Sequence, residues 1–312
     1  MRKTKIYKTI LVGSATALLV ATNAFAYTIE QTSSTSQNDF VLDQAKVELK
    51  LKPGESARVP LIFTNQTQKE KEFEIMQEDI AGSANGSDAV VLLGDQMGEF
   101  SAKSYITPET KSFTLKPGEK ITFYVDVKLP ENMEPGGRYA SVIFTNKSSS
   151  DVNASKTISR LASLFFIEVV GNTTKDGQLE NFTISKKFLT DDATTTFSIA
   201  FRNNGNVHLD PYGQINVTTL FGQTVEQIEI KPFYAMPKSL RMRTLDWKPN
   251  YSFGIYKVDL QLNRGYNDIT DQKGFYVVAF SWKIALYVLA GLLVLFGIYK
   301  LITSEFSISV KK

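Results

Sequence analysis

From Ile121 to Lys128 the chain alternates without a break: Ile121, Phe123, Val125 and Val127 fall on one face, Thr122, Tyr124, Asp126 and Lys128 on the other. A period of two with a polar partner face is the mark of a strand half-buried in a sandwich. The same texture recurs at Ala57–Phe63 and Tyr139–Phe144, and again at Thr195–Arg202, Gln227–Ile230 and Gly254–Leu262, with Gly, Pro and Asn as punctuation. Nothing between residues 27 and 281 carries a helical period. The fold class expected is all-β: two tandem immunoglobulin-like β-sandwich domains plus one C-terminal transmembrane helix.

Both ends belong to a membrane. Met1–Lys8 is basic, Ile10–Val20 is apolar, and Ala24-Phe25-Ala26 is an A-x-A site, so residues 1–26 form a signal peptide cleaved after Ala26. The apolar run is too short to span easily as an uncleaved anchor. Near the other end, Ile284 to Tyr299 holds no charge, and with its flanks it reaches the roughly 20 residues needed to cross a bilayer. Trp282, Tyr287 and Tyr299 suit interfacial positions, and the lysines of the tail put it on the cytoplasmic side.

The organisation expected is therefore signal peptide 1–26, flexible lead-in 27–38, first sandwich 39–171, second sandwich 172–281, transmembrane helix 282–302 and cytoplasmic tail 303–312. The lead-in is polar, and Gly171–Gly177 reads as an interdomain linker. Residues 27–281 would face the outside of the cell membrane.

Leu51-Lys52-Pro53-Gly54-Glu55 and Leu115-Lys116-Pro117-Gly118-Glu119 are identical pentapeptides 64 residues apart. Pro-Gly suits the centre of a type II turn, where Gly supplies positive φ. One sandwich using the same turn before two strands is preferred to a duplicated module, since each half alone has too few strands to close a core. The run Leu161–Val170 is expected as a buried closing strand.

These paired turns, with Pro135-Gly136-Gly137-Arg138-Tyr139 ahead of a strand, resemble the N-terminal domain of the WxL-interacting surface proteins of Gram-positive bacteria. Asn203-Asn204-Gly205-Asn206-Val207-His208 and Gly254-Ile255-Tyr256 are similar to that family's second sandwich. The resemblance implies a membrane-anchored bacterial surface scaffold whose first domain is associated with peptidoglycan and whose second contacts other proteins. No binding residue of the family can be matched position by position.

Composition removes most chemistry. The chain has no Cys and one His, so disulfides, thiolate catalysis, cysteine-ligated metal and multi-histidine sites are excluded. His208 beside Asp210 has no nucleophile elbow to serve and reads as a loop or surface histidine. Asp191-Asp192 and Asp268 with Asp271 read as solvated turn acids rather than a calcium loop. Trp247 reads as core or edge packing rather than a sugar platform. Eight of the 16 Asn begin Asn-x-Ser/Thr triplets, at residues 65, 85, 146, 153, 172, 181, 216 and 250, a number that Asn turns and Thr-rich strands produce without selection.

Loss of Arg2, Lys3, Lys5 and Lys8 with the signal takes the formal charge from +3 to −1. Setting aside Lys300, Lys311, Lys312 and Glu305 leaves −3 for residues 27–299. A mildly acidic exterior removes the support for nucleic acid as a partner. No catalytic, cofactor or metal residue is assigned and no cofactor is expected; the chain reads as no enzyme. The function expected is a membrane-anchored surface scaffold or adhesion protein. Its partners would be a cell-wall glycan such as peptidoglycan, another surface protein, and the membrane through the C-terminal helix. The alternative is a chaperone or assembly factor for exported subunits, which requires an exposed edge strand able to accept another chain.

Overall fold

The computed structural model describes residues 27–31, 39–147, 159–190, 194–249 and 253–305. The signal segment, Asp191-Asp192, Asn153, Asn250 and residues 306–312 of the tail lie outside these.

The first eleven strands are β1 (Thr28–Gln31), β2 (Phe40–Leu42), β3 (Lys46–Leu51), β4 (Ser56–Asn65), β5 (Lys71–Ala81), β6 (Val91–Leu92), β7 (Ile106–Pro108), β8 (Ser112–Leu115), β9 (Glu119–Lys128), β10 (Gly136–Lys147) and β11 (Arg160–Val169). Strands β1, β9, β4 and β2, with β7 also on β9, form one sheet; β3, β11, β10, β5 and β6, with β8 also on β5, form the other. Their facing sides enclose one core, in which Phe63, Phe73, Phe113, Phe123 and Phe144 meet ring to ring. The alternation read at Ile121–Lys128 is the one observed: Ile121, Phe123, Val125 and Val127 are all fully buried.

The next eight strands are β12 (Gly177–Ile184), β13 (Phe188–Thr190), β14 (Thr195–Asn203), β15 (Tyr212–Thr219), β16 (Thr224–Ile230), β17 (Ser239–Trp247), β18 (Gly254–Asn263) and β19 (Thr270–Phe280). The sheet β12-β14-β17 packs on the sheet β13-β19-β18-β15-β16 over a second core that includes Phe197, Phe201, Trp247 and Leu260. After Ser281 comes α1 (Trp282–Glu305), exposed on every side and, over Trp282–Thr303, long and apolar enough to cross a membrane. At 1.5 Å per residue its 22-residue span measures about 33 Å.

Both sandwiches open with the same manoeuvre. β2 pairs antiparallel with β4, and the chain then crosses to the opposite sheet, where β3 runs parallel to β11, the last strand of its unit. β12 likewise pairs antiparallel with β14, and β13 then runs parallel to β19. The strands equivalent in this order, β4 and β14, each end in a fully buried Asn used the same way. Asn65 donates to the carbonyls of Lys69 and Leu115, and its Oδ1 accepts from Thr67 N–H. Asn203 donates to the carbonyls of Val207 and Ala235 and accepts from Gly205 N–H. Each amide thus satisfies a turn and a neighbouring strand that would otherwise bury bare polar groups.

The two Pro-Gly turns are also superposable in their bonding. Glu55 N–H donates to Lys52 O and Glu119 N–H to Lys116 O, with Gly54 and Gly118 at φ of 80° and 76°. The type II geometry expected from Pro-Gly is therefore present. Each Glu carboxylate then accepts from the backbone N–H of its own Lys, at 2.7 and 2.8 Å, closing the turn from outside.

One expectation is corrected here. The lead-in at 27–38 is not flexible throughout, because Thr28–Gln31 adds a strand to β9, with Glu30 paired to Lys120 at 3.0 Å. Its polar sequence hides a strand whose hold is backbone bonding on an edge.

Candidate functional site

The sheet containing β10 and β11 is buried on both faces at one end. Ala140, Val142 and Phe165 point into the first core, while Tyr139 and Phe166 point outward and meet Met236 of the second sandwich, with Tyr234 and Phe100 around them. This accounts for the nearly unbroken apolar run in β11: a half-exposed strand would alternate.

His208 lies in the loop between β14 and β15, as the sequence suggests, but that loop is packed into this seam, so the surface half of the expectation is corrected. Its side chain is 12% exposed. The backbone N–H of His208 donates to the Tyr139 hydroxyl at 2.7 Å, and the same hydroxyl lies 3.2 Å from Nδ1 of the ring. A neutral imidazole with its proton on Nε2 accepts the hydroxyl hydrogen at Nδ1, so both groups are satisfied. Burial holds the imidazole below its ordinary value and pushes the Tyr139 hydroxyl well above its own. Gly137 N–H donates to Asn206 O at 2.7 Å, Met242 N–H to Gly86 O at 2.8 Å, and the Arg241 guanidinium to the carbonyls of Gly86 and Ser87. Gly137 has no room for a Cβ, which would fall 1.9 Å from the Tyr139 hydroxyl.

Glu48, His208 and Asp210 bring ligand atoms within 4.8 Å of one another. The cation among them is already supplied by the protein: the Lys46 ammonium is 2.5 Å from Glu48 and lies over the rings of Phe166 and Tyr234, at 4.8 and 4.9 Å. A cavity of about 150 Å³ lies beside the seam, between Ile80, Phe100, Tyr139, Met236 and Ser239. It is smaller than the ~300 Å³ at which small-molecule sites begin. The seam therefore joins the two sandwiches.

The remaining residues singled out from sequence are scattered. Trp247 is 3% exposed, stacks on Phe197 and donates to Glu226, in keeping with the packing reading. Asp271 is not a solvated acid: it grips Arg264 through both oxygens and accepts from Leu179 N–H. Asn65 and Asn146 of the Asn-x-Ser/Thr set are buried.

What sequence reading missed is an uneven defence of the sheet edges. An exposed edge invites another strand unless charge, Pro, a bulge or a cover prevents it. The outer edge of β4 presents Pro60, which shares its side with the Ile62 carbonyl that accepts from Asp43 N–H. β3 alternates Lys46, Glu48 and Lys50, β12 carries a bulge between Leu179 and Asn181, and β16 carries Glu226 and Glu229. β17 is covered by the segment around Gly86, and β19 is bridged to β12 through Asp271 and Lys273.

The first half of β11 differs. β3 pairs with β11 only from Leu164 onward, where Leu164 N–H donates to Ala45 O. Backbone groups of alternate residues share a side, so those of Ala162 and Arg160 point the same way. Among the described residues no strand pairs with them there. Arg160-Leu161-Ala162-Ser163 has one charge, no Pro and no bulge.

No family model and no curated protein matches this chain. Solved structures similar to it include the class 5 fimbriae chaperone CfaA, at 14% identity over 77% of this chain and 99% of that one, with a TM-score of 0.38. Another is the CsuC–CsuE chaperone–tip adhesion subunit pre-assembly complex of Acinetobacter baumannii, at 10% identity, 78% and 99% coverage and a TM-score of 0.38. A third is the Pseudomonas aeruginosa CupB2 chaperone, at 8% identity, 77% and 100% coverage and a TM-score of 0.37. At such scores the architecture rests on the strand pairing of this chain alone.

Proposed function

We propose that this chain is a single-pass surface protein that holds an extended segment of another exported polypeptide on the open half of β11. In this reading residues 27–281 form two immunoglobulin-like domains outside the cell, α1 is the anchor and the tail is cytoplasmic. The observation that carries it is the edge at Arg160–Ser163, which no strand covers among the described residues, while the other long edges described are blunted. An incoming strand would bond to the outward backbone groups of Arg160 and Ala162 and continue the sheet ahead of the start of β3. The second sandwich, braced through Tyr139 and His208, keeps that sheet rigid and at a fixed height above the membrane.

This unites the surface-scaffold expectation with the assembly-factor alternative. The family resemblance puts protein contact on the second module and wall polymer on the first; the edge arrangement favours protein contact on the first. Wall glycan lost its one named candidate platform when Trp247 proved to be core.

Ala162→Pro tests the reading. The Ala162 N–H faces outward, so Pro removes no bond of the β10–β11 ladder but denies one to a guest strand. A photo-crosslinking residue at the exposed Arg160 in the producing cell should yield an adduct with an exported polypeptide, lost in A162P at unchanged folding. An adduct of equal yield in A162P, or none at all from position 160, overturns the proposal.

A further inference from the structure

The second sandwich carries its four most exposed apolar side chains, Phe221, Phe253, Leu220 and Phe188, at one end, the end from which α1 leaves. Thr219, Tyr256 and Val277 are aligned across β15, β18 and β19 by direct pairing. Beyond that line β19 runs three more residues to Phe280, and after Ser281 the helix starts at Trp282. Beyond the same line lies the β15–β16 turn, closed by Gly222 N–H to Thr219 O and Thr219 N–H to Gln223 O, with Gly222 at φ 83°. Its tip is Leu220-Phe221, and Phe221 is 98% exposed.

Two further segments reach the same level. Phe188 of β13 pairs with Val278, and Phe253 immediately precedes Gly254, which pairs with Ala279. Both are exposed, and their rings surround Phe280 at 6.4 and 6.1 Å, with Trp282 on it at 5.3 Å. Phe253 also shares an apolar groove with Ile284, Ala285, Val288, Leu289 and Leu292, the first turns of α1. The opposite end of the same sheet is more polar: the β18–β19 turn holds Arg264, Asn267 and Asp268, and the apolar side chains there, Tyr212 and Ile269, are less exposed, at 44% and 38%.

The geometry points to a bilayer as the occupant of this apolar end: Leu220, Phe221, Phe253 and Phe188 enter the interfacial layer around the helix, so that the sandwich stands on the membrane. The inference rests on the anchor reading above and goes beyond it. With Ser281 alone between strand and helix, the sandwich has no tether on which to swing clear of the surface. Phe253 beside the first turns of α1 lies at a depth where water would meet only apolar side chains. A contiguous apolar patch of this kind, rimmed by the start of a membrane helix, is stabilised by headgroup and upper acyl layers, where aromatic rings concentrate.

The absence of Cys lets single thiols report depth. The full chain is reconstituted in phosphatidylcholine–phosphatidylglycerol vesicles and nitroxide-labelled at Gln223→Cys beside the tip, Asn267→Cys at the far turn, or Leu292→Cys in the helix. Accessibility to oxygen and to an aqueous nickel chelate is then compared. The expected result is loss of nickel access at 223 and 292 with full access at 267. Adding Leu220→Ser and Phe221→Ser should return the 223 label to water and leave the 292 label protected. A nickel-accessible label at 223 with a protected one at 292 overturns this inference and leaves the anchor standing. A nickel-accessible label at 292 overturns both.

Discussion

Tyr139→Phe removes one oxygen and no carbon, and it tests whether the seam couples the two sandwiches. Tyr139 is fully buried, and its hydroxyl accepts from His208 N–H at 2.7 Å while lying 3.2 Å from the ring nitrogen. Without it a backbone N–H and an imidazole nitrogen stay buried beside a ring edge. Leaving a buried donor unpaired costs about 1–3 kcal/mol, whereas the lost hydroxyl opens almost no cavity, so a net destabilisation of about 2 kcal/mol is expected. The measurement is denaturant unfolding of the full chain in micelles, in a Trp282→Phe background that leaves Trp247 the only indole. Trp247 stacks on Phe197 in the second sandwich, while Tyr139 belongs to the first. Coupled sandwiches move the Trp247 midpoint and the circular-dichroism midpoint together. An unmoved Trp247 midpoint, or a total loss below about 0.5 kcal/mol, refutes the reasoning, since changes of that size are ordinary for surface positions.

Three other expectations follow from particular groups. Burial, its largest influence, holds His208 below its ordinary 6.5, with Asp210 opposing and Lys46 assisting. As pH falls through 6.5 the unfolded chain therefore binds a proton that the folded chain refuses. Stability should fall by at most about 1.4 kcal/mol per pH unit until the lower folded value is passed. His208→Gln should flatten that part of the stability–pH curve, and an unchanged slope would contradict the burial. Asn203→Ala strips three hydrogen bonds from a fully buried site and should cost about 2–4 kcal/mol by urea unfolding, with Asn65→Ala similar; the neighbouring, only half-buried Asn204→Ala is the control. Gly118→Ala forces a side chain into φ 76° and should cost about 1 kcal/mol, read as a drop in melting temperature.

Strands that alternate were plain in the sequence, because a sandwich core demands one apolar face and water the other. The Pro-Gly turns were plain for a similar reason: ring closure in Pro and the missing Cβ in Gly leave one turn type. The path of the first strand in each unit was not. Nothing in Lys46–Leu51 says that its partner is the last strand of the unit rather than a sequence neighbour, since a parallel pairing at such separation is fixed by how two sheets close. The seam was concealed in the same way. His208 sits among Asn206, Asp210 and Pro211, a polar turn by every local sign, and is buried because another sandwich arrives to cover it.

The β11 run carried the signal that could have exposed both. An apolar stretch from Leu161 to Val169 is too continuous for a strand with one wet face, so something must cover its second side. Over Leu164–Val169 the cover is the second sandwich on one face and β3 along the edge. Leu161–Ser163 lie ahead of the point where β3 begins its pairing at Leu164. The outward backbone groups of Arg160 and Ala162 there have no strand partner among the described residues. A partner that supplies one would complete the same rule that shaped the rest of the sheet.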